Sequence, residues 1–220
     1  MLTPLISLPE LVADARKDHK ALWSTVNRLL PRLRRVQGRD GAETIPHMEP
    51  WTSPRGNNWL LHFSTRSTGP AMHPLVWCSD GNGSIIALLI TPTGTTYHLE
   101  GGMIQHYGAH VEGTADLLEA LQSFFFENHY YTTETLHEFS PGIWDVRVTM
   151  DQGLGLGEWD RTTDIIHVRS YVSYVQLFPE QREHLVALDA RRAWDELAIG
   201  QQAERLDRAL RKNETKLRVA

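Results

Sequence analysis

Between Trp59 and Glu100 four short apolar or β-branched runs alternate with turn signals, at intervals that leave no room for helices. The runs are 59–63, 75–78, 84–91 and 95–100. Asp80-Gly81-Asn82-Gly83 and Pro92-Thr93-Gly94 separate the later ones. Short strands joined by tight turns pair antiparallel with their neighbours, so this stretch predicts a meander. Further strands are predicted at 143–150 and 165–174. The glycine-rich run 152–157 between them reads as a wide hairpin turn.

Helical periodicity frames these strands. Residues 7–30 carry Leu8, Leu11, Val12, Ala15, His19, Leu22, Trp23, Val26 and Leu30 on one stripe, and Ser7 with Glu10 has capping-box spacing. Pro31 is expected to kink or end this helix, with Arg32, Arg34, Arg35 and Arg39 beyond it and a loop over 38–58. Thr114 is placed to cap a helix bearing Leu117, Leu118, Leu121, Phe124 and Phe125. From Pro179 the pattern turns helical, and a charged, striped helix closes the chain over 203–219. The predicted fold is α+β. It has an N-terminal amphipathic helix, an antiparallel sheet interrupted by a helix, and a helical C-terminus. All of it forms one domain over 1–220, with 201–220 a possible protruding helix.

Composition limits function. The net charge is −5, which disfavours a nucleic-acid partner without excluding a local basic stripe. A lone cysteine, Cys78, excludes an intramolecular disulfide and a cysteine-rich zinc site. No apolar run has membrane-spanning length and the first residues lack a secretory pattern, so no membrane association and a cytoplasmic location are expected.

Eight histidines fall between His62 and His167, namely His62, His73, His98, His106, His110, His129, His137 and His167. Histidine titrates near neutrality and ligates metals. His106 and His110 form H-x-x-x-H. On a helix they would share a face about 5–6 Å apart and could hold zinc, with His98, Glu100 or Glu112 as third ligand. On a strand they would stand about 13 Å apart. Gly101, Gly102 and Gly108 weigh toward a strand over 103–111. His98-Leu99-Glu100 lacks the downstream cysteines of a zinc deaminase. The glycine run lacks a following helix and any G-K-[ST], so it is no phosphate loop.

On the strand 165–174, Ile166, Val168, Val172 and Tyr174 form one face and His167, Arg169, Tyr171 and Ser173 the other. The second face combines a proton-transfer group with a phosphate-binding guanidinium.

Three functions follow. The first is an interaction or assembly protein with a protein partner, or self-association, through its terminal helices. It leads because no complete catalytic motif is present. The second is a metal-independent, ribonuclease-like enzyme using the histidines, His106, His110 and His167 among them, and Arg169. The third is a zinc-dependent hydrolase built on His106 and His110, with Glu100 as a further ligand.

Overall fold

The computed structural model describes residues 6–40, 47–66, 69–91, 94–129 and 131–178. The chain divides into two compact units, 1–174 and 175–220. Of the second, only 175–178 are described, so the expected C-terminal helices lie outside the described residues.

Unit 1 is built on a nine-stranded sheet in the order β1-β2-β3-β4-β5-β9-β8-β7-β6. Its strands are β1 His47–Thr52, β2 Asn58–Arg66, β3 Gly69–Ser79, β4 Ile85–Ile90, β5 Thr96–Leu99, β6 Thr132–Ser140, β7 Ile143–Thr149, β8 Gly153–Asp160 and β9 Ile165–Ser173. The first five form one antiparallel meander and the last four another. β5 and β9 join the two side by side in parallel. The expected all-antiparallel sheet is therefore corrected to a mixed one. Local turn signals fix each meander but say nothing about how two meanders meet.

The helices cover both faces. α1 Leu8–Arg16 and α2 His19–Asp40 replace the single N-terminal helix expected. The break is at Lys17-Asp18, where the Asp18 carboxylate turns inward to accept from Asn57 Nδ2 (2.8 Å) and Trp59 Nε1 (3.1 Å). Ser7 opens α1 with its backbone N–H donating to Glu10 at 2.8 Å. α2 runs through Pro31, where the sequence predicts a kink or an end. Leu11, Ala15, Leu22 and Val26 are buried against Trp59, Leu61, Val76 and Leu88 on one sheet face. Trp23, expected in that stripe, is 42% exposed.

The other face packs on α3 Gly101–Tyr107, a π-helical turn Gly108–Glu112, and α4 Leu117–Glu127. Segment 103–111 is thus helical, against the strand favoured from its glycines. Gly101 and Gly108 allow close approach. A Cβ on Gly101 would lie 2.0 Å from Ser84 Oγ, and one on Gly108 would lie 2.7 Å from Ala120 Cβ. Met103, Ile104 and Tyr107 are buried beside Leu121, Phe124 and Phe125. Asp116, not Thr114, caps α4, accepting from the N–H groups of Leu118 and Glu119 at 2.8 and 3.0 Å.

Two further expectations change. The loop expected over 38–58 contains the end of α2 and the edge strand β1, whose Pro50 suits an edge. β6 carries no expectation from the sequence. The glycine run is a strand, not a turn. Gly153, Gly155 and Gly157 all lie on the face under α3 and α4, where side chains would collide. A Cβ on Gly153 would meet the Tyr171 ring at 2.5 Å, one on Gly155 would meet Met150 Cε at 2.7 Å, and one on Gly157 would meet His167 O at 1.8 Å.

Candidate metal centre

The parallel seam puts His98 and His167 opposite one another, as register partners of β5 and β9. Both point to the sheet face that α1 and α2 cover elsewhere, because Leu88, the other partner of His98, belongs to that core. Their rings meet edge to face with centroids 5.3 Å apart, and Nδ1 lies 3.2 Å from Nδ1. Glu100 follows β5 directly. Its backbone N–H donates to Val168 O at 3.1 Å, which ties the turn into α3 to β9.

His98, Glu100 and His167 each offer a ligand atom, and the three atoms lie within 4.8 Å of one another. This is the one such three-residue group among the described residues, and it can hold a metal ion. Two ligands of a tetrahedral zinc, each about 2.0–2.1 Å from the ion, stand about 3.3 Å apart. The histidine nitrogens already have that spacing.

A bulge aims Arg169. Leu156 pairs with Ser170 and Gly157 with Val168, so Arg169 is the extra residue. Its Nε donates to Glu100 Oε1 at 3.3 Å, and its Nη1 pairs with Glu158. The bulge also reverses the strand's alternation. Tyr171, expected on the polar face with His167 and Arg169, is buried with Ile166 and Val168.

Burial lowers the His98 pKa to about 4, and the facing His167 adds to the effect. His167 is also lowered, mainly by burial. Glu100 pulls it upward and Arg169 downward. Both rings are therefore mostly neutral at pH 7, and neutral imidazole is the form that ligates metal.

The residues named from the sequence fall in two places. His167, Arg169 and Glu100 come together, with His98 beside them. His106 and His110 also meet, with ring centroids 4.4 Å apart, but on the exposed side of α3 and its π-helical turn. No described third ligand joins them. The Glu112 side chain lies outside the described residues. Sequence reading raised His98 and Glu100 only as helpers for that pair. What it lacked was the seam, which carries no local signal. Elsewhere, His137 Nε2 pairs with Asp145 at 3.0 Å. His62, His73 and His129 gather under the end of α4, with His62 stacked on His129 at 4.0 Å.

No helix among the described residues is long and apolar enough to cross a membrane. No protein-family model, curated protein or solved structure matches the chain.

Proposed function

We propose that this protein is a zinc-dependent hydrolase whose centre is His98, Glu100 and His167. The observation that carries the reading is the convergence of two imidazoles and one carboxylate from two stretches of chain, 98–100 and 167, that are far apart in sequence. Two histidines and a glutamate are a ligand set of catalytic zinc. A zinc ion held by them would supply a water of lowered pKa as the nucleophile. Arg169 lies beside Glu100 and is half exposed, so it is available to a negatively charged oxygen of the substrate. This proposal differs from the zinc hydrolase expected from the sequence in that its centre is His98, Glu100 and His167 rather than His106 and His110.

A metal-free reading keeps His98 and His167 as an acid–base pair with Arg169 against a phosphate. Their direct hydrogen bond favours it. Assembly through the terminal helices has less support, because α1 and α2 use their apolar stripe on their own sheet.

The test is metal analysis of purified protein, followed by zinc titration of chelator-treated protein by calorimetry. We expect one zinc per chain, lost in His98→Ala and in His167→Ala and retained in His106→Ala. Ester and phosphoester hydrolysis should disappear with chelator. Zinc binding that survives both substitutions would refute the centre. Turnover that survives chelation would favour the metal-free pair.

A further inference from the structure

A cavity of about 260 Å³ lies between the N-terminal helices and the sheet. Ala15, Leu22 and Trp23 close it from the helices, and Trp59, Met72 and Pro74 from β2 and β3. It is on the same sheet face as the candidate metal centre but shares no residue with it. Small-molecule sites run from about 300 Å³ upward, so the occupant is small.

The walls fix the chemistry of its body. Both tryptophans commit their indole N–H elsewhere, Trp59 to the buried Asp18 carboxylate at 3.1 Å and Trp23 to His19 Nε2 at 2.6 Å. The two rings thus offer a ligand only apolar surface. Trp23 lines the cavity and is 42% exposed, so its ring is open to solvent on one side.

The rim fixes the head group. Arg16, in the last turn of α1, also lines the cavity. Its guanidinium donates to the carbonyl of Gly94 in the turn before β5, which holds it at the mouth. A guanidinium carries five N–H donors in a fork that matches a carboxylate. His19 and Thr91 also line it, the first accepting from Trp23 and the second donating to Thr95 O at 2.8 Å, which leaves Arg16 as the charged group of the lining.

We infer that this cavity binds a small amphipathic carboxylate of the medium-chain fatty-acid kind, with its chain between Trp23 and Trp59 and its carboxylate on Arg16. The inference is independent of the metal centre, and its test is run in chelator.

The probe is octanoate, titrated by calorimetry into the full chain, with 1-octanol as the uncharged control. Saturable one-to-one octanoate binding is expected. Arg16→Gln should weaken it about tenfold, the loss of one charge-assisted contact, while 1-octanol binds parent and variant alike. Arg16 is exposed, so this variant should keep its fold, and a thermal melt checks that. Trp23→Ala should weaken both ligands by removing a wall. Absence of saturable octanoate binding at millimolar concentration would overturn the inference. So would equal octanoate affinity in parent and Arg16→Gln.

Discussion

Acid should weaken this fold through His62, and the size of the effect follows from its surroundings. His62 is fully buried on β2, and both ring nitrogens lack a hydrogen-bond partner. Phe125 and Phe126 contact the ring edge to face, and His129 stacks on it. His73, His129, Asp151 and His47 are the titratable groups around it. Burial lowers its pKa from an ordinary 6.5 to about 4, helped by His129 and His47 and opposed by Asp151. The unfolded chain therefore takes up a proton first as pH falls. The stability this ring contributes is complete above pH 6.5 and is lost progressively as pH drops toward 4. Between those values the loss is about 1 kcal/mol at pH 6 and about 2 kcal/mol at pH 5. Urea unfolding of chelator-treated parent and His62→Phe at pH 7.5, 6 and 5 measures it. Phenylalanine keeps a ring in the site and cannot titrate, so contributions from His98 and the other histidines largely cancel between the two proteins. The parent should lose about 2 kcal/mol more than the variant between pH 7.5 and pH 5. Parallel losses in the two proteins would refute the reasoning.

Two further substitutions probe the frame around the sites. Asp18→Ala removes the shared acceptor of Asn57 and Trp59 at the break between α1 and α2. It should cost about 1–3 kcal/mol in urea unfolding, as expected when buried donors lose their acceptor. Gly157→Ala places a methyl group 1.8 Å from the carbonyl oxygen of His167, so β8 or β9 must shift. A loss of about 1–3 kcal/mol is expected from the forced contact, together with weaker zinc binding than in a Gly102→Ala control, where the added Cβ meets nothing within 4 Å. Equal zinc affinity in the two variants would separate β9 from the centre.

What the sequence disclosed was local. The turn before β4 could be read from Asp80, whose carboxylate accepts from the N–H groups of Asn82 and Ser84 at 2.8 Å, and from Gly81 and Gly83 at positive φ. The first meander followed from such turns. What stayed hidden depends on contacts between distant residues. A glycine that breaks a helix and one that lets a helix approach a strand look identical, so α3 read as a strand. Gly153, Gly155 and Gly157 read as a turn by composition, although their spacing of two is also that of one strand face. A period-two count fails across a bulge, and so Tyr171 was assigned to the wrong face.

The candidate metal centre shows the same limit and also why it lies where it does. One row crosses the sheet through Trp59, Val76, Leu88, His98, His167, Glu158 and Asp145, each the register partner of the next. The first three are buried with α1 and α2. His98 and His167 are half-buried, and the Glu158 and Asp145 side chains are 25% and 37% exposed. The seam between the meanders coincides with the edge of the helical cover. His98 and His167 are buried enough there for their pKa values to be lowered, while Glu158 and Asp145 beside them stay partly exposed. Sequence spacing could supply His98 and Glu100, two residues apart, but His167 reaches them only because a second meander docks in parallel against the first.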